Sequence, residues 1–108
     1  MKTLVVGKDG KVSIQEVNKP KYNEYQALVK TIACGMCGTD VKLCHRTFKG
    51  FPESVYPIML GHEGVGEVVE LGEKVTSFKI GDKVLLPFVD PDPEKLPGLG
   101  SGWGAMSE

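Results

Sequence analysis

Short apolar runs separated by polar turns dominate the pattern of this chain, and few stretches repeat every three to four residues. Thr3–Val6 is β-branched and apolar and predicts a first strand, and Asp9-Gly10 after it is a strong hairpin-turn signal. Apolar residues at near-alternating positions from Val12 to Val17 predict a second strand. Pro20 ends this strand because proline cannot donate a ladder hydrogen bond.

The third predicted strand, Tyr25–Ala33, leads directly into Cys34. Simple alternation of side chains assigns its residues to two faces. One face would carry Ala27, Val29, Thr31 and Ala33, and the other Leu28, Lys30 and Ile32.

One short helix is predicted after this strand, with Thr39 or Asp40 as its N-cap and its end near Arg46. Apolar residues in Thr47–Tyr56 do not recur at strand or helix spacing, so this segment is expected to be a loop. Pro57–Leu60 is a short apolar lead into the next segment.

Gly64–Leu71 and Lys83–Phe88 are predicted as strands, the second of them entered through the turn pair Gly81-Asp82. Val89–Gly102 has neither a strand nor a helix period and is expected to be a loop, and no closing strand is expected in Met106–Glu108. Together these elements predict a mainly β domain, a partly open barrel with one or two short helices.

Composition narrows the class of protein. A length of 108 residues with 41% apolar and 25% charged residues predicts one globular domain. The net charge of −1 supplies no basic face, so neither nucleic acid nor a membrane surface is an expected partner. No apolar run approaches the ~20 residues of a membrane span, and the N-terminal run is too short for a signal peptide. An odd number of cysteines without a signal peptide predicts a reducing compartment, and hence a cytoplasmic protein.

The residues that could bind a metal are concentrated in Cys34–Gly66, which contains all three cysteines and both histidines of the chain. Thiolate sulfur and imidazole nitrogen are ligands that zinc takes readily. We therefore predict that Cys37 and His62 bind one catalytic zinc. Glu63, water or a residue outside this chain would complete the site.

Other interpretations of these residues are weaker. Cys34-x-x-Cys37 would suit a redox pair, but that motif belongs in a βαβ setting, which is not predicted here. A zinc knuckle would need Cys44-His45 as its second pair, and adjacent residues project in different directions. Phe51, Tyr56 and Trp103 would be either cleft-lining or core residues.

Four segments, in this order and spacing, make the sequence resemble a known family. They are Cys34–Asp40, Gly61–Gly66, Ile80–Val84 and Gly102–Glu108. The chain resembles the N-terminal GroES-like catalytic domain of the zinc-dependent alcohol dehydrogenases, within the medium-chain dehydrogenase/reductase superfamily. It departs from many members in having no cysteine in Phe88–Glu108, where they carry a four-cysteine structural zinc lobe.

The resemblance implies that residues 1–108 are a GroES-like catalytic domain and that the nucleotide-binding Rossmann domain is absent. It implies a zinc-dependent dehydrogenase of small-molecule alcohols or polyols that uses NAD or NADP, which the missing domain would bind. The full-length enzyme is expected to be a homo-oligomer, and this piece alone is expected to be inactive.

The resemblance also implies roles for individual residues. Cys37 and His62 would be metal ligands, and Glu63 would either coordinate zinc or exchange with water beside it. Asp40 would accept the other ring N–H of His62, which fixes the ring's orientation. Thr39 would hydrogen-bond the substrate oxygen and begin the proton relay. Cys34 would be structural. From the residues themselves, Cys44 and His45 are interpreted as structural or exposed, with His45 as a weaker candidate for a later member of the relay.

Two functions of other classes compete with this interpretation. One is a stand-alone β-barrel binding module with a vestigial metal site, and the other is a small redox or metal-storage protein. A reading frame that continues past Glu108 into a strand and Gly-x-Gly-x-x-Gly would favour the dehydrogenase.

Overall fold

The computed structural model describes residues 1–86 and 105–107. Its described elements, in chain order, are β1 Lys2–Val6, β2 Val12–Glu16, β3 Ala27–Gly35, α1 Gly38–Cys44, a 3₁₀ turn Glu53–Val55, β4 Ile58–Met59, β5 Glu63–Leu71 and β6 Lys83–Leu85. The prediction of a mainly β domain with one or two short helices is confirmed. Within the described ranges, no helix has the length and apolar character needed to cross a membrane.

The first sheet has the strand order β2-β1-β4, and all neighbouring strands are antiparallel. The hairpin predicted at Asp9-Gly10 joins β1 to β2, with Val6 opposite Val12. Val5 and Val6 of β1 are buried, whereas every residue of β2 is exposed. β1 and β4, whose two residues are also buried, therefore anchor this sheet to the core.

The second sheet has the order β3-β5-β6 and is also antiparallel. Its register shifts twice along β3, and Ile32 is left without a partner between Thr31 and Ala33. The predicted assignment of Ala33 to the same face as Val29 and Thr31 is wrong because this bulge breaks the alternation. The described strands form two sheets rather than one closed barrel.

One compact cluster forms the hydrophobic core beside the first sheet. Its buried members are Val6, Leu43, Tyr56, Ile58 and Leu60. The Tyr56 hydroxyl donates a 2.8 Å hydrogen bond to the Leu43 carbonyl, so α1 is tied to the core by a polar contact as well as by packing. Tyr56 is a core residue and Phe51 packs against the core, while Trp103 lies outside the described residues.

Ala105–Ser107 is hydrogen-bonded to β1 and to the residues that follow β4. The Met106 amide donates to the Leu60 carbonyl at 3.2 Å, and the Leu4 amide donates to the Met106 carbonyl at 3.2 Å. Thr3 and Ser107 form an antiparallel bridge. As expected, no strand is assigned to Ala105–Ser107 within the described residues, although the isolated bridge ties this segment to β1.

Other boundaries differ modestly from the predictions. β3 begins two residues later than predicted and runs on through Gly35, and Glu53–Val55 forms a 3₁₀ turn within the predicted loop. β4 occupies part of the predicted apolar lead. β6 ends at Leu85, and the loop predicted at Val89–Gly102 lies outside the described residues.

We expect Gly61→Ala to lower the free energy of unfolding more than Gly81→Ala. Both glycines have nearly the same φ, +95° and +94°, so both substitutions carry the ~1–2 kcal/mol cost of a left-handed backbone. Only at position 61 would the added Cβ meet other atoms, the Met106 amide nitrogen at 2.5 Å and Cys34 Sγ at 2.9 Å. Urea unfolding followed by circular dichroism measures both losses, and equal losses would contradict the steric argument.

Candidate metal centre

Cys37 lies in the candidate metal centre, between the end of β3 and the start of α1. Gly35 is the last residue of β3, and Cys37 is the N-cap of the helix. The prediction that Thr39 or Asp40 would be the N-cap is wrong. The sulfur of Cys37 takes the place of a capping hydroxyl and accepts a hydrogen bond from the Thr39 amide at 3.2 Å.

Asp40 completes a reciprocal cap from inside the helix. Its Oδ2 accepts the Cys37 amide at 2.9 Å, which makes Cys37 and Asp40 a capping box. Only 2% of the Asp40 surface is exposed, so this carboxylate is held inside the protein rather than in solvent. A buried carboxylate is costly unless it is hydrogen-bonded or paired, and here its second oxygen faces His62.

His62 comes from the connection between β4 and β5. Its Nε2 lies 3.4 Å from Cys37 Sγ, and its side chain is 9% exposed. Its Nδ1 lies 3.8 Å from Asp40 Oδ1. The two ring nitrogens thus face different residues, one the thiol and the other the carboxylate.

The preceding glycine makes this placement of His62 possible. Gly61 has a φ of +95°, a conformation in which other residues are strained. Its carbonyl accepts the Ala105 amide at 3.1 Å. A side chain at position 61 would collide with Cys34 Sγ and the Met106 backbone, and glycine avoids this collision. His62 is the next residue.

The residues present fit a metal ion such as zinc. Cys37, Asp40 and His62 each offer one ligand atom, and these atoms lie within 4.8 Å of one another. Sulfur, nitrogen and oxygen are the three donor types that zinc takes in proteins. Asp40 Oδ1 is buried and makes no hydrogen bond within residues 1–86 and 105–107. An acceptor of this kind, aimed at a histidine ring, is a typical partner of a metal-binding imidazole.

Two predicted site residues lie beside this group and not within it. Glu63 is exposed at the start of β5, opposite Gly35 in the strand register. Thr39 is half-buried in the first turn of α1. The predicted metal role of Glu63 and the predicted relay role of Thr39 stay predictions.

The other cysteines and the second histidine are outside the group. Cys34 Sγ donates to the Gly35 carbonyl at 3.3 Å, and burial raises the pKa of its thiol, so it stays protonated near neutral pH. Burial likewise raises the pKa of Cys44, which packs against the hydrophobic core. His45 is the exposed C-cap of α1. Neither of these thiols nor His45 belongs to the Cys37–Asp40–His62 group.

Sequence reasoning missed the capping role of Cys37. The spacing Cys37-x-x-Asp40 has the form of a capping box with sulfur in the place of oxygen, so a signal was present. It also missed the contact between Glu63 and Gly35. That contact depends on the pairing of β3 with β5, which no local pattern reports.

The chain is similar in sequence to curated alcohol dehydrogenases. An alcohol dehydrogenase from Geobacillus stearothermophilus is 43% identical over 90 residues, which are 82% of this chain and 26% of that protein. The NADP-dependent isopropanol dehydrogenase of Thermoanaerobacter brockii is 39% identical over 92 residues, which are 85% of this chain and 25% of that enzyme. The chain thus spans about a quarter of the length of the curated relatives it matches.

Solved structures show the same fold. Haloferax mediterranei glucose dehydrogenase, determined in complex with NADP, Zn and gluconolactone, superposes with a TM-score of 0.74 at 29% identity. The superposition covers 100% of this chain and 35% of that one. The profile of the alcohol dehydrogenase GroES-like domain family matches residues 23–108. Since that match covers most of the chain, the protein belongs to the alcohol dehydrogenase GroES-like domain family.

Proposed function

We propose that this chain is the metal-binding catalytic domain of a zinc-dependent dehydrogenase that acts on small-molecule alcohols or polyols. One observation carries the proposal: His62 turns Nε2 toward Cys37 Sγ at 3.4 Å and Nδ1 toward the buried Asp40 carboxylate. A thiol and an imidazole from distant segments, with a carboxylate behind the ring, form a metal site in a domain whose relatives are alcohol dehydrogenases.

Cys37 and His62 would hold the metal, with Glu63 as a further ligand that exchanges with water. Asp40 would orient the His62 ring rather than bind the metal, because it faces Nδ1 while Nε2 faces the thiol. When bound there, zinc would supply a Lewis acid for the substrate oxygen. With only two firm ligands from this chain, the other positions are open to water, to substrate or to a residue outside residues 1–108.

Thr39 would handle the substrate proton. It follows Cys37 by two residues on α1, and its amide already donates to the Cys37 sulfur. Its side-chain hydroxyl would accept the substrate hydroxyl proton at Oγ1 and pass it on toward solvent. Positioned proton acceptors of this kind contribute ~10²–10⁴-fold to rate.

The hydride acceptor would be NAD or NADP, held by a domain outside this chain. Hydride transfer requires the nicotinamide within ~3–3.5 Å of the reacting carbon. The chain spans about a quarter of its relatives' length, which leaves room for such a domain in them. We therefore expect residues 1–108 alone to be inactive, and the complete enzyme to be a cytoplasmic homo-oligomer.

Cys37→Ser should weaken metal binding, whereas Cys34→Ser should not. Replacing a ligand should cost more than the ~10–100-fold that loss of a ligand's supporting partner costs. Co²⁺ titration against a competing chelator measures the affinity, and the thiolate-to-cobalt absorption band reports the sulfur ligand. If Cys34→Ser removed that band and Cys37→Ser kept it, the ligand assignment would be wrong.

Asp40→Asn should weaken Co²⁺ binding by ~10–100-fold, because the neutral amide no longer favours the Nδ1–H tautomer of His62. The amide oxygen can still accept the Cys37 amide, so the helix cap is retained. Asp82→Asn is the matched control, since Asp82 accepts the Lys79 amide at 2.8 Å in another turn. An affinity unchanged by Asp40→Asn would argue against the orienting role.

Thr39→Val should lower kcat of the enzyme that contains this domain by ~10²–10⁴-fold and leave its zinc content unchanged. The valine keeps the shape of the side chain and removes the hydroxyl. Thr39→Ser keeps the hydroxyl and should retain most of the activity. Turnover of Thr39→Val at the parent rate would exclude the relay role.

A further inference from the structure

Gly35 and Glu63 lie directly opposite each other where β3 pairs with β5. A Cβ added to Gly35 would lie 2.8 Å from Glu63 Oε2 and 3.4 Å from Glu63 Cβ. The Glu63 carboxylate therefore occupies the space that a side chain at position 35 would fill.

The reason for glycine at this position differs from that at two other crowded glycines, Gly66 and Gly72. At Gly72, an added Cβ would meet the Asn23 carbonyl oxygen at 2.3 Å, so that glycine is needed for backbone packing. At Gly66 it would meet Val29 Cγ1 at 2.3 Å and the Lys30 carbonyl oxygen at 2.7 Å. At Gly35 both contacts that an added Cβ would make under 3.5 Å are with the Glu63 side chain. The φ angle of Gly35 is not positive, so the backbone conformation does not require glycine there.

The position of the Glu63 carboxylate matters because Glu63 follows His62 directly. Beside Gly35, the carboxylate lies outside the Cys37–Asp40–His62 group. It is exposed and has three rotatable bonds, so it can leave this resting place and approach a metal between Cys37 and His62.

We propose that Gly35 is a positioning residue for Glu63. The missing side chain leaves a resting place for the carboxylate away from the metal, so residue 35 sets how often Glu63 coordinates it. This inference rests on the proposed metal site. The resting position competes with coordination, and the apparent metal affinity is reduced by the fraction of molecules in which the carboxylate is at rest.

Gly35→Ala tests the inference by filling the resting place. We expect it to tighten Co²⁺ binding by about two- to ten-fold, since the carboxylate spends more of its time at the metal. In a Glu63→Ala background the same substitution should leave the affinity unchanged, because no carboxylate remains to be displaced. This dependence on Glu63 is what a purely structural effect of alanine would not show.

Gly38→Ala is the matched control. Gly38 lies three residues further along, in α1, and an added Cβ there would meet nothing within 4 Å. Its effect on Co²⁺ affinity should be the same with and without Glu63. Urea unfolding of each variant checks that the fold is retained.

The outcomes separate this inference from the proposed function. A parent chain that shows no thiolate-to-cobalt band overturns both. A parent that binds Co²⁺ normally, with Gly35→Ala weakening binding or acting equally in both backgrounds, overturns only the role of Gly35. Tighter binding that disappears with Glu63→Ala supports it.

Discussion

The reciprocal hydrogen bonds between Cys37 and the first turn of α1 are the interaction on which the centre depends. Asp40 accepts the Cys37 amide at 2.9 Å, and Cys37 Sγ accepts the Thr39 amide at 3.2 Å. A helix of seven residues is not stable by itself, so its position depends on this cap and on the buried side chain of Leu43. Because Asp40 also faces His62, one carboxylate links the helix start to the second proposed metal ligand.

The position of His62 depends on backbone pairing between distant parts of the chain. Leu60 donates to Leu4 of β1 at 2.9 Å, and Gly61 accepts from Ala105 at 3.1 Å. His62 is thus preceded by residues held from both sides, and β5 begins immediately after it. Cys37, at the cap of α1, and His62, in the connection between β4 and β5, each lie beside hydrogen-bonded backbone, which would keep two proposed ligands at a constant distance.

The local sequence determined the elements and the residue types of the centre. Thr3–Val6 and Gly64–Leu71 were predicted to within one residue of β1 and β5, because β-branched runs bounded by glycine turns report strand propensity directly. Cys37 and His62 were predicted as a pair because thiol and imidazole have few other common reasons to occur in such motifs, and the structure brings them to 3.4 Å.

Only the tertiary structure decided how those elements fit together. It placed the bulge at Ile32, paired Ser107 with β1, made Cys37 the helix cap and set the Glu63 carboxylate beside Gly35. The apolar pattern of one strand does not show which residues of another strand it pairs with. A helix cap depends on backbone angles that the following turn imposes. These features depend on contacts between residues far apart in the chain or on local geometry, whereas hydrophobic periodicity reports only which face of an element is apolar.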